Sequence, residues 1–313
     1  MVPSPVRIGT RGSELAVWQA NFVRAALVRH WGIDVELCCI TTEGDRIQDR
    51  PLYRVGGKGL FVKAIEDELA AGRVDLAVHS MKDVPAQLPE GLVIACTPAR
   101  EDARDAVCAL SETSLERARP GTRVGTSSVR RAALARRINP HIQIVPLRGN
   151  VPTRLRKLDE GQVDIVLLAA AGLVRLGLSD RIVEFLDSDR FCPAPCQGIL
   201  AIECRDDDTR VQELLAPLRD PGTAVVASAE RAFLIRLAGG CEVPVACHAH
   251  LRADNTVSVT GTVVDPSGEP CFSATLEGEP ARAAELGKQL AEALLDMGAG
   301  GVVASLVSGR EAR

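Results

Sequence analysis

Over the first two thirds of the chain, short apolar runs rich in β-branched residues alternate with longer amphipathic stretches. "VRIGT" (6–10) reads as a strand. Ser13 then caps a helix reaching about His30, with Leu15, Trp18, Phe22 and Ala26 on one expected apolar stripe. "VELCCIT" reads as a second strand, and a glycine-rich loop, "RVGGKG", precedes a helix over 60–71. "VDLAVHS" and "LVIACT" follow as strands. This alternation implies a parallel-rich sheet covered by helices, an α/β architecture.

The polar connection "PAREDARD" (98–105) interrupts the pattern, which then restarts. "RVGTSS" leads into a helix ending at Ile138, "IQIVPLR" into a helix from Thr153, and "VDIVLLAA" into a helix around Leu173. A Pro-rich crossing, "FCPAPCQG", leads to the strand "ILAIEC". From Asp220 onward the pattern changes: a helix over 224–237 ends at Gly239-Gly240, and three alternating segments follow, "VACHAHLRA", "TVSVTGTVVD" and "CFSATLEG". Turn signals at Asp254-Asn255 and at Asp265-Pro266-Ser267-Gly268 join them into an antiparallel sheet. A helix over 281–297 completes a smaller α+β region, and "GAGGVV" after it reads as flexible.

Composition narrows the function classes. A length of 313 residues suits two or three domains. Aromatics make up only 3%, so the core is aliphatic and stacking platforms for single-stranded nucleic acid are few. A net charge of −4 gives no global attraction to a polyanion. The ten cysteines form no Cys-x-x-Cys pair and are too sparse for a disulfide scaffold. The opening "MVPSPVRIGTRGSELAV" has no apolar signal region, and no run approaches a membrane span. Reduced thiols in a cytosol-like compartment are the expectation.

The cations are unevenly placed. In open α/β sheets ligands bind beyond the carboxyl ends of the strands. At those ends stand Arg11 and Ser13; Lys82 and Asp83; Ser127, Ser128, Arg130 and Arg131; Arg148, Asn150 and Arg154; and Arg175. N–H groups at a helix start and the arginine fork both favour anions, so several such turns imply a ligand with many negative groups. Carboxylates fit at least as well as phosphates, because Lys58 in "GGKGL" is followed by Gly59 and no phosphate-loop motif exists. Each arginine taken singly also suits solvation or pairing with one of the 41 acidic residues, and Arg136 and Arg137 are read that way.

Asp83 is the acid on this cationic list, and it is expected to be buried among the cations, where it would stabilise a transient positive charge or exchange protons with N–H groups. A turn aspartate bonded to backbone is the alternative. His79 reads as packed at its strand end, with a general base as the other reading. His248 and His250 share a strand face, but no further metal ligands are evident, so no metal is expected. Cys241, in "RLAGGCEVP", lies on a glycine-flanked turn; it is either one inert thiol among ten or one presented for attachment.

The segments "IGTRGSELAVWQA", "GGKGLF", "AVHSMKDVP", "GTSSVRRAAL", "LRGNVPTRL" and "ERAFLIRLAGGCEVP" together resemble the porphobilinogen deaminase (hydroxymethylbilane synthase) family, in order and over nearly the whole length. The resemblance implies two α/β domains of the periplasmic-binding-protein type, 1–99 with 198–217 and 103–193, plus a C-terminal α+β domain, 220–313. It implies a dipyrromethane cofactor joined by thioether to Cys241. Four porphobilinogen molecules would be added to it one at a time with loss of ammonia, giving hydroxymethylbilane for heme and porphyrin biosynthesis. Each pyrrole carries an acetate and a propionate. By the same resemblance Arg11, Ser13, Gln19, Ser80, Lys82, Thr126, Ser128, Arg130, Arg131, Arg148, Arg154 and Arg175 bind cofactor and substrate, and Asp83 is the catalytic acid. Lys58 would lie in a loop over the cleft. A cytoplasmic monomer without nucleic-acid or membrane partners is the expectation.

Two departures stand out. Cys196 stands where the family usually has Gly, and Ile199 where it usually has Ala. Glycine often serves unusual backbone angles, so the geometry near Gln197 is where this chain departs. Cys247 also occupies a position where a small residue is more common. A non-catalytic binder of a carboxylated ligand would share the two α/β lobes, but it has no use for a thiol-tethered arm.

Overall fold

The computed structural model describes residues 5–46, 59, 61–111, 113–237 and 244–311. The chain divides into two compact units, Met1–Glu101 with Gly198–Ala224 and Asp102–Gln197 with Val225–Arg313.

In the first unit, β1 (Val6–Thr10), β2 (Val35–Cys39), β3 (Leu76–Ser80), β4 (Leu92–Cys96) and β10 (Leu200–Arg205) form a sheet ordered β2-β1-β3-β10-β4. β10 runs antiparallel to both neighbours and the other pairings are parallel. Helix α1 (Glu14–Trp31) starts because Ser13 caps it, its Oγ accepting from the Ala16 N–H, and stops at left-handed Gly32. Ile8, Leu76, Val78 and Ile202 pack against Val23 and Leu27 of α1. On the other face Ile65 and Leu69 of α3 (Lys63–Ala70) cover Ala77 and Ile40, so β3 reads as a nearly continuous apolar run. α2 (Glu43–Arg46) is a single turn.

The stripe expected on α1 is off by one position. The buried residues are Ala16, Gln19, Ala20, Val23, Ala26 and Leu27. Trp18 and Phe22 are 37% and 43% exposed, their rings stacked at 5.8 Å. Small side chains let the helix lie close to the sheet, and the aromatics would not fit there.

The second unit repeats the layout. β5 (Asp105–Ala109), β6 (Arg123–Gly125), β7 (Gln143–Val145), β8 (Ile165–Ala169) and β9 (Glu184–Phe185) form a sheet ordered β7-β6-β8-β5-β9, again with the antiparallel strand fourth. The connection read as "PAREDARD" therefore ends in a strand, opened by a buried Asp105. Helices α4 (Val129–Ile138), α5 (Val151–Asp159, two residues earlier than expected) and α6 (Ala170–Arg175) follow β6, β7 and β8.

The third sheet, β11 (Val245–Leu251), β12 (Val257–Val264) and β13 (Cys271–Gly278), is antiparallel, with Asn255 and Gly268 at positive φ in its two turns. α7 (Thr209–Leu214) belongs to the first unit, and α8 (Pro221–Arg236) leads into the third sheet's core with α9 (Ala283–Leu294). Gly287 permits the close approach of α9 to α8: a Cβ there would lie 2.1 Å from the Ala229 carbonyl oxygen. The segment read as flexible is instead structured. A π-helical turn (Leu295–Ala299) containing Gly298 at φ 108° leads to α10 (Gly300–Glu311), which Val302 anchors by burial.

The departure at Cys196 has a backbone consequence. Cys196 is buried and holds φ 62°, a left-handed angle that costs an ordinary residue roughly 1–2 kcal/mol. The conformation is held because its N–H donates to the Glu230 carboxylate of α8, whose other oxygen accepts from the Ala249 N–H of β11 at 2.7 Å. Cys196→Gly is therefore expected to melt higher than Cys196→Ala, by about 2 °C, although it removes more atoms. Thermal unfolding of the two variants side by side checks this, and equal or reversed midpoints would count against the strain.

Candidate active site

In the first unit the sequence-selected residues gather around one open pocket, lined by Arg11, Ser13, Gln19, His79, Ser80 and Asp83 together with Phe61 and Ala16. Arg11 and Ser13 arrive from the β1–α1 turn, and Arg11 lies over the Phe61 ring at 4.0 Å. Buried Gln19 donates from Nε2 to Ser80 Oγ at 2.9 Å, which leaves the Ser80 hydroxyl hydrogen available to the pocket. Asp83 ends a one-turn helix, Met81–Asp83, that continues β3 and is fastened by the Met81 N–H to the Ile199 carbonyl at 2.9 Å. Asp83 is exposed, contrary to the expectation of a buried acid, because this turn carries it past the sheet edge. Lys82 is half-buried beside it and does not line the pocket.

Behind the pocket lies a cluster the sequence reading missed. His79 Nε2 is 3.3 Å from Glu203 Oε2, and both side chains are buried. Glu66 of α3 is buried against the same sheet face. Burial first, and then the charge of Glu203, raise the Glu66 carboxyl to about 7, with His79 acting the other way.

In the second unit, Ser128 caps α4 by accepting from the Arg131 N–H at 3.3 Å, and buried Thr126 accepts from the Ser128 N–H at 3.1 Å. Arg130 and Arg131 turn inward. Arg130 Nη1 lies 2.8 Å from Asp105 Oδ2 and donates to the Cys192 carbonyl at 2.7 Å. Arg131 Nε donates to Asp105 Oδ1 at 2.8 Å, and its Nη2 to Gln197 Oε1 at 3.3 Å. Gln197 Nε2 in turn donates to Asp105 Oδ1 at 3.1 Å. Burial works to raise the Asp105 carboxyl, but the two guanidiniums outweigh it and hold the group well below the usual carboxylate range. Two guanidiniums thus converge on one carboxylate at this strand end.

Arg148 and Arg154 flank the β7–α5 turn, where Asn150 caps α5 by accepting from the Thr153 N–H at 2.9 Å. Arg154 Nε donates to the Gly149 carbonyl at 2.8 Å. Gly149 holds φ 122°, with Thr153 where a Cβ would lie. Arg175 is buried at the end of α6. Arg136 and Arg137 clamp the β12–β13 turn through the Pro266 carbonyl and Glu269. Lys58 and Cys241 lie outside the described residues. The nine described cysteines are free thiols, and burial pushes Cys96 and Cys192 up to about 12. His248 and His250 stack at 5.8 Å, and no metal-binding cluster exists among the described residues.

Asp105, Gln197, Glu203, Glu66 and Phe61 went unread. The signal available for Glu203 was an acid inside the apolar run "ILAIEC"; Asp105 similarly opens the apolar run "DAVCAL".

Residues 6–213 match the family model described as "Porphobilinogen deaminase, dipyromethane cofactor binding domain", and residues 224–296 match the "Porphobilinogen deaminase, C-terminal domain". The porphobilinogen deaminase of Syntrophobacter fumaroxidans is 52% identical over 300 residues, covering 96% of this chain and 97% of the relative. That of Syntrophotalea carbinolica is 51% identical over 307 residues, with 98% and 97% covered, and that of Geobacter metallireducens 46% over 314, with 100% and 98%. Among solved structures the chain is similar to the methionine-binding protein MetQ, with TM-score 0.45, 16% identity, and coverage of 68% of this chain and 89% of that one. These family matches define a transferase of porphyrin biosynthesis that works with a dipyrromethane cofactor. The chain belongs to the porphobilinogen deaminase family, the hydroxymethylbilane synthases, which act on porphobilinogen. No described helix is long and apolar enough to cross a membrane.

Asp105→Asn leaves two buried guanidiniums without their carboxylate and is expected to cost about 3–5 kcal/mol of stability. The depressed carboxyl contributes stability above the ordinary aspartate range that is lost as pH falls below it, so the deficit should shrink in acid. Thermal unfolding of wild type and variant across acid pH checks both statements.

Proposed function

We propose that this chain joins four porphobilinogen molecules head to tail at the Asp83 pocket, with dipyrromethane held on Cys241. The observation that carries the reading is the composition of the pocket: an exposed carboxylate set among a guanidinium, hydroxyls and a helix start.

These residues suit a pyrrole bearing an acetate and a propionate. Arg11, steadied on Phe61, and the start of α1 at Ser13 offer charge and N–H groups to carboxylates. Ser80, oriented by Gln19, offers a hydroxyl donor. In the second unit Ser128, Arg130, Arg131, Arg148, Arg154 and Arg175 offer the same hydroxyl and guanidinium chemistry. When bound, dipyrromethane supplies the primer to which pyrrole units are joined. Asp83 accepts hydrogen bonds from pyrrole N–H groups and stabilises the positive charge that develops as ammonia leaves. It also takes or gives the proton within its reach. Lys82 adds a cation beside it, and we assign Lys58 to a loop that keeps water out until release. We also infer a monomer in a reducing cytoplasm, a reading supported by ten cysteines without a Cys-x-x-Cys pair or scaffold spacing.

Asp83→Asn should keep its melting temperature and its cofactor-loaded mass while kcat falls by at least about a hundredfold. Near-normal turnover in a loaded, folded variant would remove Asp83 from the mechanism.

A further inference from the structure

Porphobilinogen condensation has a proton to place. In each cycle the C–N bond of an aminomethyl group breaks, a C–C bond forms to the next pyrrole, and the H+ displaced from that ring carbon ends on ammonia as ammonium. The proton is released at carbon and consumed at nitrogen, at different positions and moments. Asp83 is one carboxylate, and it also has a developing cation to stabilise.

The wall of the same pocket contains a second ionisable group, His79. Its rear nitrogen faces Glu203 at 3.3 Å, a separation without hydrogen-bond geometry. Glu203 sits on β10, the antiparallel strand, where the register shifts between Ile202 and Glu203. Among the described residues His79 Nε2, both Glu203 oxygens and Glu66 Oε1 are buried without a hydrogen-bond partner. Three ionisable side chains, 5%, 0% and 6% exposed, thus lie buried at one sheet face, with Glu203 and His79 both acting on Glu66.

We propose that His79, Glu203 and Glu66 form a buried proton store behind the Asp83 pocket, with His79 as the pocket-facing member that takes the proton released from carbon in one cycle and gives it to the leaving nitrogen of the next. This rests on the assignment of the Asp83 pocket above.

Charge bookkeeping supports the idea. Two ionised carboxylates with a neutral imidazole would bury two negative charges, which is prohibitive. Two protons on the three groups make the cluster neutral, and the next proton to leave belongs to the cluster as a whole. The elevated Glu66 carboxyl, at about 7, places that loss near neutrality, where a store is useful. The charged groups around the cluster are the following. On α3 the facing groups are Lys63 and Asp67, exposed and paired with each other at 3.5 Å. At the end of β10, Arg205 pairs with Asp208 and donates to the Leu69 and Val74 carbonyls. On the pocket side stand Arg11 and Asp83.

The test uses the cofactor-loaded enzyme. Infrared difference spectra of wild type should show a protonated buried carboxyl that is lost as pH rises through about 7 and is missing in Glu66→Gln. The kcat–pH profile of Glu66→Gln should lose the ionisation near neutrality or shift it by about one pH unit or more, and His79→Asn should do the same. A wild-type enzyme with no protonated carboxyl at mildly acid pH overturns the store whether or not the variants fold. So does an unchanged kcat–pH profile in folded Glu66→Gln, since a purely structural cluster would move only stability. If Asp83→Asn turns over normally, the pocket assignment fails instead, and the infrared result still stands by itself.

Discussion

A charge removed from water must meet an opposite charge or a proton, and each of the two five-stranded sheets buries an acid under that rule. Each sheet has its antiparallel strand in fourth position, and each of those strands carries a buried acid: Asp105 on β5 and Glu203 on β10. Asp105 is answered by Arg130 and Arg131 from the first turn of α4, and Gln197 closes the set. Glu203 faces His79 from the neighbouring strand and, across the sheet face, Glu66 of α3, whose carboxyl it helps to raise.

The two acids differ in what they leave behind. Asp105 is met by two guanidiniums, which hold it ionised at its strand end. Glu203 has no guanidinium beside it, and burial together with its charge raises the neighbouring Glu66 carboxyl. A polymerase of carboxylated pyrroles needs both: fixed positive charge to hold the acetate and propionate groups, and an exchangeable proton near the carbon and nitrogen that react. Asp83 itself is exposed at the pocket of the first unit, while Glu203 and Glu66 are buried.

The sequence carried the local features well. The caps at Ser13 and Ser128, the strand–helix alternation and the turns at Asn255 and Gly268 depend on residues close in the chain, and all appear in the structure. So does the backbone anomaly at Cys196. What escaped depends on distant partners. Asp105 meets Arg131 across 26 positions and Gln197 across 92, and no local pattern distinguishes such an acid from a solvated one. The stripe of α1 was misplaced because Trp18 and Phe22 are apolar but too large for the face that Ala16 and Ala20 occupy. The helix after Gly298 escaped because its glycines cluster at the start and hide the helical run behind them. Arg130 and Arg131 show the converse: their position at a strand end was legible, and their inward orientation was not.

Covalent priming is the claim on which the functional account turns, and mass spectrometry addresses it directly. The intact purified protein should exceed its sequence mass by one dipyrromethane, and proteolytic mapping should place that mass on the peptide containing Cys241, with none on the other cysteines. Active enzyme at its unmodified mass, or the modification on a different thiol, would contradict the account.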